Sequence, residues 1–422
     1  MSSVFNFILD KKGVPTIPRA FDTILSKRSV KRSSKAIFKQ RCDLLTQLTW
    51  TPIVEDAYPA TGGTHFETVE QKGLPYSSTR GVGRTIGFDV SFYTFYTAIL
   101  NPLSIVYTED LRTPPAPNYI DAGTAGGYYG LVCSEFLAYA HGLSMSFTSG
   151  QFTERPEAAL AETQDAQFAE IGDFLWRPGH VAAVSGVTKD QNGTVTHVEV
   201  SEASFPKMVR RSYTTSSFNQ RLNGDTLYKF PISDDLEYNH FEVPDLSNYT
   251  LMLDRGDKTV YEKDSLVKYN VTDSNSVALV IEKDGEEIET VSLDGATLVE
   301  RSYSEEGLYK AHVARSDSST SNEVQFIVAS VDVSIPTTNI TAGEPFSINF
   351  SGIDCAPIYV IIQSPPDVYS FANFPPYVLT EAEQESNTVT VDHNVPGEYD
   401  VRVCGETPFG RVRSNRIRIT VS

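Results

Sequence analysis

Residues 130–142, GLVCSEFLAYAHG, predict a short helix with a cysteine in its first turn. Residues spaced by three and four share one face of this helix: Cys133, Phe136, Leu137 and Ala140. Gly142 is a natural end for the helix, and the glycine-rich stretch 123–130 precedes it. We therefore expect Cys133 at a helix N-terminus, where backbone N–H groups and the helix dipole stabilise a thiolate. Position alone leaves two interpretations open, a nucleophile and a buried core cysteine.

The other three cysteines are weaker candidates for a nucleophile. Cys42 lies in a helical pattern from about Phe21 to Trp50, with an acidic residue beside it and no histidine nearby, which favours a buried bystander. Cys355 and Cys404 lie in the C-terminal part of the chain. A disulfide and two free thiols are equally compatible with their positions.

His180 is the candidate base for Cys133. It follows Gly179 and begins the apolar strand HVAAV at 180–184. His141 lies two turns beyond Cys133 in the same helix, roughly 12 Å along the axis, so it is too far away to reach the thiol. His197, on the next strand, is the remaining rival.

The segment 189–193, KDQNG, predicts a tight turn between two paired strands, because Asn-Gly strongly favours such turns. A turn centred on Gln191 places His180 opposite Glu202 on a buried face. That face also carries four apolar residues: Ala182, Val184, Val198 and Val200. The other face is expected to meet solvent and carries four polar residues: Ser185, His197, Glu199 and Ser201. A buried His–Glu pair indicates either a catalytic pair or a structural ion pair.

The C-terminal part contains an internal repeat. Gly307–Tyr309 opens one copy and Gly397–Tyr399 opens the other, 90 residues later, and each copy then reaches Ser-Asn, at 321–322 and 414–415. Short alternating strands at this spacing are typical of an immunoglobulin-like sandwich, and Gly-x-Tyr resembles its tyrosine corner. The acidic, proline-flanked segment 233–244 predicts a linker before the repeat. The predicted domains are therefore 1–243, 245–331 and 332–422.

Several motifs of the first domain resemble those of the NlpC-like cell-wall peptidases, a family of papain-like cysteine hydrolases. Val132–Phe136 is similar to the family's Asp-Cys-Ser-Gly-Phe nucleophile motif. Gly172–Leu175 with His180–Val184 is similar to its Gly-Asp-Leu-Val and His-Val-Gly-Ile-Tyr segments. Ser201–Ala203 occupies the place of the third polar residue, and Gly73–Tyr76 resembles the family's Gly-x-Pro-Tyr element.

The resemblance covers roughly residues 35–210 and has two departures. Val132 and Glu135 replace the family's Asp and Gly beside the nucleophile. A long insertion at 77–129 contains GFDVS at 87–91, which mimics the nucleophile motif without a cysteine. The junction between a glycine-rich loop and a helix favours the copy that contains the cysteine.

The resemblance implies a multidomain protein, with an α+β papain-like catalytic domain followed by two all-β immunoglobulin-like sandwiches. The expected activity is cleavage of an amide bond in peptidoglycan stem peptides or another peptide substrate. Cys133 would attack the carbonyl carbon, His180 would transfer the proton, and Glu202 would orient His180. Tyr76 would help to form the oxyanion site. This chemistry needs no cofactor or metal, and no cluster in the sequence has metal-ligand spacing.

Composition limits the partners. The net charge of −19 argues against nucleic acid and against adsorption to anionic membranes. No apolar run approaches the roughly 20 residues that span a bilayer, and no signal-peptide pattern is visible. Domain content favours an extracellular or wall-associated protein whose sandwiches bind a cell-surface glycan or protein. Two other functions stay open: a surface or phage-particle binding protein with a relic papain-like fold, and an acyltransferase or deamidase with the same triad.

Overall fold

A computed structural model of the chain describes residues 34–54, 67–76, 92–108, 130–141, 149–150, 152–155, 157–204, 206–232, 246–363 and 377–422. The helices are α1 (Lys35–Gln47), α2 (Phe92–Ile99), α3 (Ile105–Thr108), α4 (Cys133–His141), α5 (Thr215–Arg221) and α6 (Glu381–Ser386). Four sequence features lie outside the described residues: the N-terminal segment, the motif copy at 87–91, most of the glycine-rich loop and the linker at 233–244.

Strands contain more of the described residues than helices do. Those of the N-terminal region are β1 (Thr49–Trp50), β2 (Gln71–Lys72), β3 (Ala159–Leu160), β4 (Phe174–Arg177), β5 (His180–Lys189), β6 (Val195–Ser204), β7 (Lys207–Thr214) and β8 (Thr226–Lys229). Those of the next region are β9 (Leu251–Leu253), β10 (Thr259–Glu262), β11 (Leu266–Val271), β12 (Ser276–Lys283), β13 (Glu286–Ser292), β14 (Leu298–Ser302), β15 (Gly307–Arg315) and β16 (Val324–Ser334). The last are β17 (Asn339–Ile340), β18 (Phe346–Ile353), β19 (Ala356–Gln363), β20 (Tyr377–Val378), β21 (Thr388–Val391), β22 (Gly397–Glu406), β23 (Arg411–Arg413) and β24 (Ile417–Val421).

The N-terminal region is built on a six-stranded antiparallel sheet in the order β3-β8-β4-β5-β6-β7. On one face, Val181 and Ala183 share a hydrophobic cluster with Phe38 of α1 and Leu137 of α4. On the other face, a second cluster of sheet residues packs against Phe218 of α5. Helices therefore cover both faces of this sheet.

The expectation that one face of the β5–β6 hairpin meets solvent was wrong for Ser185 and Ser201, whereas His197 is exposed. Ser185 and Ser201 are fully buried, and their hydroxyl groups share a hydrogen bond of 2.7 Å. Helices α1 and α4 pack over this face. Because small hydroxyl side chains can satisfy each other in a dry environment, polar alternation in the sequence did not reveal the burial.

The predicted register of this hairpin was wrong by about two residues. Ala183 pairs with Ser201 and Val184 with Val200, with bulges farther along the hairpin. The turn is closed by Asp190, whose N–H donates to Thr194 O and whose carboxylate accepts from Thr194 N. A shift of two residues keeps every side chain on its own face. The face predicted for His180 and Glu202 is therefore unchanged.

Residues 246–422 form two β-sandwiches joined by one continuous strand. In the first, the sheet β13-β12-β15-β16 and the sheet β14-β11-β9 enclose one hydrophobic core. Strand β16 pairs with β15 and β10 through Ala329 and then with β18 from Ser330. The change of partner therefore occurs within a strand and not in a loop.

The two copies of the internal repeat make the same contacts. Tyr309 donates its hydroxyl proton to Glu305 O at 2.8 Å, and Tyr399 donates to Pro396 O at 3.4 Å, each as a tyrosine corner. The Ser-Asn element is also equivalent in both copies. Ser321 Oγ accepts from Val313 N, and its counterpart Ser414 Oγ accepts from Val403 N. These shared contacts confirm the internal repeat.

The insertion between Tyr76 and Cys133 contributes α2 and α3, which dock on the first sandwich. Asn101 donates to Leu253 O and accepts from Asn270, both at 3.0 Å. Asp257 is buried beneath α2, and its carboxylate accepts hydrogen bonds from Tyr93 and Tyr249. The insertion therefore joins the N-terminal region to the sandwich through buried polar contacts.

Asp257→Ala is expected to lower the free energy of unfolding by about 2–4 kcal/mol, since each buried group left unsatisfied costs about 1–3 kcal/mol. The carboxylate also accepts from the backbone N–H groups of Lys258 and Gln325, so four donors would lose their acceptor. Urea unfolding would measure the change. Asp257→Asn retains an acceptor and should lose less than half as much. Equal stability of Asp257→Ala and the wild type would contradict a structural role for this carboxylate.

The second sandwich also contacts the N-terminal region. Ile358, Tyr359, Ile361 and Cys404 belong to the same hydrophobic cluster as α1 and α4. Cys355 instead packs against the core of the second sandwich. Cys355 and Cys404 are not joined by a disulfide in this structure.

Candidate active site

Cys133 is the first residue of α4 and is partly exposed. Glu135 reaches back from the first turn, and its Oε2 accepts from Val132 N at 3.0 Å. This contact is half of a capping box and fixes the start of the helix. Glu135 is one of the departures from the family motif, and it therefore has a structural role here.

His180 lies at the start of β5, directly after the tight turn at Pro178–Gly179. The Cys133 Sγ lies 4.0 Å from the carbonyl oxygen of Gly179, the residue before His180, and the thiol is close enough to the imidazole to raise its pKa. The hydrogen-bond partner of the imidazole is Glu202, whose Oε2 lies 2.7 Å from His180 Nε2. Because Nε2 is engaged by Glu202, Nδ1 is the nitrogen left for Cys133.

The pKa of His180 favours the imidazolium at neutral pH. Burial alone lowers this pKa, but the hydrogen bonds and charges of Cys133 and Glu202 outweigh burial and raise it to about 9. A positively charged imidazole beside a thiol is the arrangement that stabilises a thiolate.

Glu202 is buried and remains ionised. Burial raises its pKa, but hydrogen bonds from His180 and Arg221 outweigh this effect and lower it to about 2. Arg211 also donates to its Oε1. Glu199 is the other glutamate of β6. Its side chain lies on the opposite face of the sheet from Glu202, with Lys39 and Arg210 nearby.

Tyr76 lies next to the segment that leads into α4. Its backbone forms a bridge with Leu131, two residues before Cys133, and its N–H donates to Pro206 O at 2.8 Å. The side chain packs partly against the N-terminal hydrophobic cluster. The structure thus brings Tyr76 near the helix start, and its oxyanion role stays a prediction.

The rival histidines lie elsewhere. His141 is buried at the other end of α4, with its ring 4.6 Å from that of Phe38 and 4.2 Å from that of Phe230. Burial lowers its pKa to about 3, so it stays neutral. His197 is exposed and pairs with Thr188 in the hairpin.

Cys42 is fully buried in α1, and burial raises its pKa to about 12. An inert thiol is what the sequence indicated for this position.

The described residues contain neither a cluster suited to a metal ion nor a helix suited to span a membrane. In this part of the chain, no group of three or more His, Cys, Asp or Glu residues could hold a metal ion. None of the described helices has the length and apolar character to cross a bilayer.

No family model matches the chain, and no curated protein matches it. The solved structures that match include fibronectin-like and immunoglobulin-like β domains. The fibronectin(III)-like modules of Clostridium thermocellum CbhA are 13% identical, with 40% of this chain and 92% of that chain covered and a TM-score of 0.19.

Two further structures match at the same level. The amphioxus IgVJ-C2 molecule is 13% identical over 38% of this chain and 99% of its own, with a TM-score of 0.18. The N-terminal domains of the bacteriophage RB49 outer capsid protein Hoc are 13% identical over 41% of this chain and 59% of theirs, with a TM-score of 0.16. At these TM-scores the likeness carries no conclusion about function. The peptidase resemblance therefore rests on the residues of this chain.

Three contributors to the site were missed by sequence reasoning: Glu135, Arg211 and Arg221. Glu135 carries a detectable signal, since a glutamate at the third helical position is typical of a capping box. Arg221 carries none, because it reaches Glu202 from α5, nineteen residues farther along the chain.

Proposed function

We propose that this protein is a cysteine hydrolase that cleaves an amide bond in peptidoglycan stem peptides. The observation that carries the proposal is that the Cys133 thiol, at a helix start, lies beside the Gly179–His180 segment, and that His180 Nε2 lies 2.7 Å from Glu202 Oε2. A relic fold has no need for this arrangement. A buried glutamate and a raised histidine pKa support catalysis more specifically than burial of a cysteine would.

The proposed reaction begins from a thiolate–imidazolium pair, in which the thiol proton of Cys133 already resides on His180 Nδ1. The Cys133 sulfur then adds to the carbonyl carbon of the scissile amide, and the negative charge moves to the carbonyl oxygen. The backbone N–H of Cys133 and the Tyr76 hydroxyl would stabilise this oxyanion. His180 gives its proton to the leaving amine, which departs, and water then releases the acyl group as a carboxylic acid.

Glu202 has a separate role in this scheme. It accepts the hydrogen bond from His180 Nε2 and so holds Nδ1 towards the thiol. The sandwiches would place the enzyme on a wall, glycan or protein surface. Their two-copy repeat and their packing on the N-terminal region support a rigid attachment of the sandwiches to the catalytic region.

Mass spectrometry of the products tests the proposal. Purified peptidoglycans of several chemotypes are incubated with the protein, and new free amines and the matching muropeptides are expected. Reversible blocking of Cys133 with methyl methanethiosulfonate should stop the release, and reduction should restore it. Release that persists after blocking would point to a contaminating hydrolase. An absence of release from every chemotype would contradict the proposed substrate, whereas acyl transfer in place of hydrolysis would assign the triad to a transferase.

A further inference from the structure

Arg221 lies between two buried carboxylates. Its Nη2 donates to Glu202 Oε2 at 3.0 Å, and its Nε donates to Asp225 Oδ2 at 2.7 Å. The side chains of Arg221, Glu202 and Asp225 are 12%, 4% and 3% exposed. Buried ion pairs of this kind are weakly screened by solvent and fix geometry more firmly than surface pairs do.

The orientation of the Arg221 guanidinium is determined on several sides. Its Nη1 donates to the Tyr213 hydroxyl at 2.7 Å, and the guanidinium lies 5.2 Å from the centre of the Tyr213 ring. Asp225 is held in turn by Arg177, at 3.4 Å. Because the planar guanidinium of Arg221 has fixed hydrogen-bond partners on both sides, it has little freedom to rotate.

Arg221 and His180 donate to the same oxygen atom of Glu202. Glu202 Oε2 accepts from Arg221 Nη2 and also from His180 Nε2, at 3.0 and 2.7 Å. Arg221 therefore fixes the oxygen that meets the imidazole, while Arg211 donates to the other oxygen of Glu202. The hydrogen bonds from His180 and Arg221 keep the pKa of Glu202 at about 2, so that the carboxylate does not take the proton from His180.

We propose that Arg221 is a positioning residue, which holds Glu202 so that His180 Nδ1 faces the Cys133 thiol. The inference rests on the proposed function and deepens it, since it assigns control of the triad geometry to a residue that does not touch the substrate. Asp225 and Tyr213 accept hydrogen bonds from Arg221 and so hold its guanidinium in place. The expected consequence is that loss of Arg221 lowers the reactivity of Cys133 even though the triad itself is intact.

The test is the pH profile of alkylation by iodoacetamide in the full chain, with peptide mass spectrometry to report Cys133 separately. At about pH 6 an activated thiol reacts and an ordinary thiol does not, so the wild type should label Cys133 before Cys355. Arg221→Met should slow labelling of Cys133 by about tenfold or more and change its pH profile, and Arg221→Lys should recover the rate to within about threefold.

A matched control is Arg210→Met. Arg210 lies on β7, the strand that pairs with β6, and its side chain is 15% exposed. It pairs with Asp43 on the face of the sheet opposite to Glu202. This variant should label Cys133 at the wild-type rate and with the wild-type pH profile. Circular dichroism and the melting temperature establish that each variant is folded. If Arg221→Met does not fold, Asp225→Asn replaces it, because this change removes the charge that holds the Arg221 Nε and keeps both charges of the Arg221–Glu202 pair.

A wild-type rate and pH profile in Arg221→Met, or in Asp225→Asn where that variant is needed, would overturn the proposal and reduce Arg221 to a structural ion pair. That result leaves the proposed function intact, because Cys133 of the wild type would still react at low pH. An unreactive Cys133 in the wild type is a different outcome, and it would overturn the proposed function together with the inference that rests on it.

Discussion

Cys133→Ala is expected to abolish amide cleavage, with a loss of at least about 10³-fold in rate, because the substitution removes the sulfur that bonds to the carbonyl carbon. The effect should be on turnover and not on folding. Cys133 is only partly buried at the helix start, and Glu135, which caps that helix, is retained. Release of free amines from purified peptidoglycan measures the rate, and the melting temperature measures folding.

Cys355→Ala is the matched control for this experiment. Cys355 is also a partly buried free thiol, but it lies in the second sandwich, and its hydrogen bond runs to Ser330 O at 3.2 Å. Burial raises its pKa to about 12, so it should remain a neutral thiol. Its replacement should change the rate by less than about twofold, as is usual for substitutions away from the chemistry. Similar losses in both variants would contradict Cys133 as the nucleophile.

Glu202→Gln is expected to lower the rate by about 10- to 10⁴-fold, the wide range found for the orienting residue of a triad. The change keeps the shape of the side chain but removes the charge that stabilises the imidazolium. The pKa of His180, about 9 in the wild type, should therefore fall. Because the imidazolium is lost as pH rises through this pKa, the alkaline limb of the pH–rate profile should move to lower pH.

Glu199→Gln is the control, since Glu199 lies on the other face of the same strand and is 35% exposed. Surface substitutions have small effects, so we expect a change of less than about threefold and no shift of the alkaline limb. A larger loss in Glu199→Gln than in Glu202→Gln would show that the imidazole has a different partner. An unshifted profile in Glu202→Gln would show that the Glu202 charge does not act on His180.

Several features followed from sequence alone because they depend on neighbours along the chain. The helix that begins at Cys133 was predicted from apolar residues spaced by three and four. The repeat was predicted from Gly-x-Tyr, whose tyrosine hydroxyl bonds to a backbone oxygen a few residues earlier in each copy. The shared face of His180 and Glu202 also survived a two-residue error in register, since strand alternation has a period of two. Periodicity therefore predicted which side chains can meet, but not the residues that pair across the hairpin.

Other features were decided only by tertiary packing. The bulges in the hairpin set its register, and α1 and α4 buried Ser185 and Ser201 on a face that looked polar. Arg221 reached Glu202 because α5 folds back against β6. Such contacts join distant segments, and their partners are selected by the volume, charge and hydrogen bonds that each buried space leaves to be filled. The sequence by itself thus determined the candidate nucleophile, base and orienting acid, whereas tertiary structure determined the groups that hold them in place.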